Sequence, residues 1–145
     1  MSTQHWAFAL IGKPWREGAD GPEAFDCRGL VRHVWLTRRG LEVPALERGL
    51  GAAQVLDAAA AHGWQCVGQG PNAAARELDI VTMNGRDGLH VGVMVRADLQ
   101  LGVLHSVGAR DERSGREEGA VIFTPRLGEL AMLGFGHIKI WRKTS

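Results

Sequence analysis

One amphipathic stripe, beginning at a cysteine, constrains this chain more than any other feature. Cys27, Leu30, Val31, Val34 and Trp35 stand at i, i+3, i+4, i+7 and i+8, the spacing that gathers apolar side chains on one face of an α-helix. Arg28, Arg32, Arg38 and Arg39 fall largely off that face. Asp26 is a favoured N-cap type, and Gly40 is a natural stop. The pattern predicts a helix that starts at residue 26 or 27 and buries one side. Whatever it packs against must meet Cys27 in the first turn.

Further along, the periodicity changes from that of helices to that of strands. Residues 2–11 read as a short helix ending before Pro14, and Gly12 to Ala24, rich in Gly, Pro and charge, as an extended loop. A second helix is expected over about 50–62, through Ala58 to Ala61, with Gly63 as its end. Strand patterns follow at Trp64–Val67, Asp79–Met83, His90–Val95, Val103–Val107, Val121–Phe123 and Ile138–Arg142, separated by Gly, Asn and Asp. Gly108 to Gly119 carries seven charges in twelve residues and reads as a solvated hairpin loop. Helices first and closely spaced strands after them predict an α+β fold with an antiparallel sheet joined by successive hairpins. With 145 residues, no internal repeat and no linker, residues 1–145 are expected to form one domain.

Composition removes several function classes. The net charge of +1 lacks the basic excess of a domain that grips nucleic acid through phosphates. No run approaches the roughly 18 apolar residues of a membrane span. The run Trp6 to Ile11 has no basic residue ahead of it and ends at Lys13-Pro14, so it does not read as a secretion signal. The expectation is a protein made in the cytoplasm and carried elsewhere by something other than its own leader. Two cysteines, Cys27 and Cys66, make no disulfide framework. Neither a His-Glu-x-x-His nor a Cys/His metal spacing occurs, so no metal and no cofactor is expected.

A cysteine on the apolar stripe of a helix is by default a small buried hydrophobe, and Cys66, in an expected strand, reads that way. Cys27 has a second reading. Unpaired N–H groups and the positive dipole end at a helix start favour a thiolate and can serve an oxyanion. The Asp26 charge opposes the thiolate, so a nearby imidazolium is expected to hold the ion pair. His90 and His105 lie on expected strands, as does His137, a backup for a third catalytic position. His5, His33 and His62 sit at the terminus, off the stripe and at a helix end.

Phe25-Asp26-Cys27-Arg28-Gly29-Leu30-Val31, preceded by Ile11-Gly12-Lys13-Pro14-Trp15, resembles the nucleophile region of the NlpC-type, papain-like cell-wall peptidases. Asp79-Ile80-Val81, His90-Val91-Gly92-Val93 and Leu104-His105-Ser106 resemble that family's later strands, in order. The resemblance implies Cys27 as nucleophile, His90 as base and His105 as the residue that orients His90. It also implies a peptidoglycan peptide as substrate, cut between D-Glu and the diamino acid. Asp26, Trp15 and Arg28 take the positions of substrate-binding residues. Trp15 replaces the family's Tyr and Arg28 its Ser, which makes Arg28 a candidate for a substrate carboxylate. The run Asp26-Cys27-Arg28-Gly29-Leu30-Val31-Arg32 is most similar to the phage-tail-associated branch, which implies a virion tail, tail-protein partners and action at the cell wall. A weakly active structural tail module and an amidase or acyltransferase with another substrate are the alternatives.

Overall fold

In the computed structural model, which describes residues 5–144, the stripe folds as helix α1 (Cys27–Arg39). Its ends follow from local chemistry. Asp26 Oδ1 accepts the Gly29 N–H at 2.7 Å, and Gly40, left-handed at φ 66°, returns its N–H to the carbonyls of Leu36 and Trp35. Leu30, Val31 and Val34 are fully buried. Helix α2 (Ala52–Ala61) follows a short 3-10 turn at Pro44–Leu46. The helix expected over 2–11 is, among the described residues, a single 3-10 turn at Trp6–Ala9; residues 1–4 lie outside them.

Six strands form one antiparallel sheet: β1 (Trp64–Gln69), β2 (Ile80–Gly85), β3 (Gly88–Ala97), β4 (Gln100–Arg110), β5 (Glu117–Thr124) and β6 (Gly136–Lys143). Their order is β1-β6-β2-β3-β4-β5. Strands β2 to β5 are the expected hairpins. β6 departs from that plan by entering between β1 and β2. Its buried Ile138, Ile140 and Trp141 suit an interior strand. Asp79, just before β2, takes Arg142 of β6 in a bidentate pair at 3.0 and 2.7 Å.

The charged segment over 108–119 also differs from expectation. β4 and β5 pair out to Arg110↔Glu117, leaving only 111–116 as the turn. An edge hairpin reaching into water needs only backbone pairing, so charge along it does not argue against strand.

Both faces of the sheet are covered. α1 lies on β3 and β4 over one core, with Val91, Val93, Val95 and Leu104 beneath it. A 3-10 segment, Leu127–Leu133, closes the other face over Val81, Met83, Val103 and Ile140. This segment is too short and irregular to show a helical period in the sequence.

The first turn of α1 rests directly on the loop before it. A Cβ at Gly29 would strike the Ala19 carbonyl oxygen and approach Asp20 Oδ1 at 2.9 Å. Backbone cannot swing aside as a side chain can. Gly29→Ala should therefore destabilise the fold by about 2 kcal/mol, lowering Tm by roughly 4–8 °C in thermal melts. An unchanged Tm would show that this loop is not held against the helix.

Candidate active site

The seam where β3 and β4 part is where Cys27 meets the sheet. Their register runs from Ala97↔Gln100 to Val93↔Leu104. Beyond it, the Val91 backbone N–H lies near the Cys27 sulfur, at the head of α1, and favours its ionised form. His90 is the residue next to that N–H. Side chains alternate across a strand, so His90 points to the face shared with Met94, opposite Val91 and Val93.

There His90 enters a buried chain of hydrogen bonds. His90 Nε2 lies 2.9 Å from His105 Nδ1, and His105 Nε2 lies 2.8 Å from Thr124 Oγ1. All three residues are buried, His105 completely. Gly92 makes this contact possible: a Cβ there would meet Val103 Cγ1 at 2.7 Å and His105 Cβ at 3.1 Å. Phe135 stacks on the His90 ring with centroids 4.3 Å apart and planes 10° from parallel. Only Nδ1 of His90 is left free of His105.

Burial decides the charge of this group. It pushes the His90 imidazole down to about 3, with the neighbouring His105 adding to the shift, and His105 itself down to about 4. Burial likewise pushes the Cys27 thiol up. The Val91 N–H and the Arg28 charge oppose that rise, while the Asp26 carboxylate adds to it. Burial thus disfavours charge on both groups, against the thiolate–imidazolium pair expected at the helix start. Desolvation is the largest influence on the thiol.

The expected substrate-binding positions have structural tasks. Asp26 Oδ2 accepts the Gly18 N–H at 2.8 Å while Oδ1 caps α1, so its carboxylate joins the loop to the helix. Gly18 is left-handed at φ 81°, and a Cβ there would strike Arg48. Arg28 donates to the carbonyls of Glu47 at 3.0 Å and Leu50 at 2.8 Å, which ties it to the chain before α2. Trp15 lies over Gly108, where any Cβ would collide with the indole, and lines an open groove with Glu17, Asp87 and Arg110. His137 is exposed on β6 and borders a different groove, beside Gln69 and Lys139. His105, not His137, contacts His90.

Sequence reasoning passed over Ser106, Thr124 and Phe135. Ser106 Oγ donates to the Phe25 carbonyl at 2.7 Å, pinning the residue two before Cys27. Thr124 reaches His105 only through the β4–β5 register, and Phe135 reaches His90 only through the return of the chain into β6; no local pattern marks either. Cys27 and Cys66 are both free thiols. Among the described residues no group of three His, Cys, Asp or Glu side chains could hold a metal, and no helix is long and apolar enough to cross a membrane.

No family model matches the sequence, and no curated protein matches it. Two of the solved structures that share the fold show how far the likeness reaches. One is the NlpC/p60 domain of peptidoglycan hydrolase SagA, with a TM-score of 0.51 and 17% identity over 92% of this chain and 91% of that one. The other is an N-acetylmuramoyl-L-alanine amidase from Bacteroides uniformis ATCC 8492, with a TM-score of 0.51 and 12% identity over 96% and 97%. The architecture is an NlpC/p60-like α+β fold, its helices packed on a six-stranded antiparallel sheet.

Because His90 and His105 titrate below the ordinary 6.5 when folded, the unfolded chain binds protons that the folded chain excludes. Their contribution to stability is complete above about pH 6.5 and is lost as pH falls toward 4 and then 3. Urea midpoints should drop over that window, and His105→Asn should flatten part of the drop. Identical slopes in wild type and variant would contradict a buried neutral His105.

Proposed function

We propose that this chain is a cysteine hydrolase that cuts an amide bond in peptidoglycan stem peptide, with Cys27 as nucleophile and His90 as base. The observation that carries it is the seam of β3 and β4, where the Val91 backbone lies by the Cys27 sulfur and the preceding residue, His90, is held through Nε2 by His105. The likeness to the NlpC/p60 domain of a peptidoglycan hydrolase and to an N-acetylmuramoyl-L-alanine amidase supports this substrate class.

In this reading the Cys27 sulfur attacks the carbonyl carbon as its proton passes to His90 Nδ1. The Cys27 backbone N–H, in the first helical turn and without an intrahelical acceptor, faces the developing oxyanion. The tetrahedral intermediate collapses, the C–N bond breaks, and His90 gives its proton to the departing amine. Water, deprotonated by His90, then attacks the thioester, and the released thiol regains its proton. Both resting partners are neutral, so proton transfer accompanies attack. His105 orients His90 and is a positioning residue.

The bond between D-Glu and the diamino acid is the proposed target, and a phage-tail particle the proposed setting. The motif from Asp26 to Arg32 supports that setting. In this reading the groove beside Trp15 contacts the stem peptide.

Purified protein incubated with defined muropeptides, and followed by mass spectrometry, should release fragments ending at D-Glu. Cys27→Ala should release none while keeping its Tm. His90→Ala should lose more rate than His105→Ala, since acting as the base matters more than orienting it. Cleavage between muramic acid and L-Ala would replace the peptidase reading with an amidase one. Full activity in a folded Cys27→Ala would overturn the mechanism, and equal or reversed histidine losses would mean the two roles are misassigned.

A further inference from the structure

His105 has a nitrogen that the proposed chemistry leaves unexplained. Its Nδ1 faces His90, but its Nε2 points deeper, at Thr124 Oγ1 2.8 Å away on β5. The strand register makes this contact specific: Val103↔Thr124 and His105↔Ile122 are paired, so Thr124 sits diagonally across from His105. Thr124 is 5% exposed and His105 fully buried, which keeps bulk water from replacing the hydroxyl.

Proton counting fixes what that hydroxyl must do. A neutral imidazole has one N–H and one lone pair, so the two bonds of the chain must run in one direction. If Thr124 donates to His105 Nε2, His105 donates from Nδ1 to His90 Nε2, and the His90 proton is forced onto Nδ1. His90 could then accept nothing from the thiol. If Thr124 accepts, every bond reverses and His90 Nδ1 carries the lone pair. Once His90 has taken a proton, both its nitrogens carry N–H groups. His105 Nδ1 must then accept, its own proton must sit on Nε2, and that N–H needs an acceptor in a buried place.

We propose that Thr124 is a positioning residue, its Oγ1 accepting from His105 Nε2–H and thereby setting the tautomers of both histidines so that His90 Nδ1 faces Cys27 as a base. This inference rests on the assignment of His90 as base, and it deepens that assignment by adding the residue that determines which His90 nitrogen is free.

The experiment pairs two variants with two readouts, one of which needs no substrate. Thr124→Val keeps the branched shape and removes the oxygen; Thr124→Ser keeps the oxygen. Long-range 1H–15N spectra of the imidazoles in wild type should show the proton on Nε2 of both His90 and His105. In Thr124→Val the His105 Nε2 signal should move or split between tautomers, and Thr124→Ser should restore it. With muropeptide, Thr124→Val should lower kcat about tenfold with KM little changed, and Thr124→Ser should recover most of the rate. Protons on Nδ1 in the wild type, or a Thr124→Val spectrum identical to wild type, would overturn the inference. So would equal loss of kcat in folded Thr124→Ser and Thr124→Val. Should no muropeptide be cleaved by the wild type, the hydrolase reading fails, while the tautomer spectra still decide the role of Thr124.

Discussion

The Asp26 carboxylate is the contact on which the placement of Cys27 depends. One oxygen takes the Gly29 N–H and starts α1; the other takes the Gly18 N–H and draws the preceding loop against it. A capping bond of this kind contributes about 1 kcal/mol, small beside the burial of the stripe. Its consequence is positional. Cys27 is the first residue of the helix, so the interaction that fixes where α1 starts also fixes where the sulfur lies. Ser106 from β4 secures the neighbouring Phe25 carbonyl, and Gly29 lets the loop lie flush on the helix.

A second constraint is the dryness of the histidine chain. Phe135 covers His90, β5 supplies Thr124, and both imidazoles are held neutral well below ordinary pH values. Desolvation raises the cost of charge on Cys27 and His90 alike, so the resting site stores no ion pair. In the proposed reaction, charge appears on His90 only as the thiol proton leaves. A chain of oriented hydrogen bonds is then useful because it is already arranged for the imidazolium.

The α1 helix and its cap were legible because the apolar spacing, Asp26 and Gly40 agree on one structure. All six strands were legible as alternating segments between turn residues. The interior position of β6 was not, since order within a sheet depends on contacts between residues far apart in the chain. The charged hairpin misled for a different reason: the backbone ladder from Val107 to Arg110 needs no apolar side chain. At the site, Cys27, His90 and His105 stood in recognisable motifs. The bonds of Asp26 to Gly18 and of Arg28 to Glu47 and Leu50 were not visible, because a carboxylate or guanidinium reads the same in sequence whether it faces a ligand or the main chain. The charge state of Cys27 was not visible either. A helix start argues for a thiolate, and only the burial around it shows that desolvation prevails.

The central claim is that an acyl group passes through Cys27. Mixing the protein with a stem-peptide substrate, quenching in acid within milliseconds to seconds and weighing the intact chain tests it directly. The account predicts a transient mass increase equal to the acyl fragment, located on the Cys27 peptide after digestion and absent when Cys27 is replaced. Substrate turnover with no adduct on Cys27, and with the same products from a Cys27→Ala protein, would contradict it.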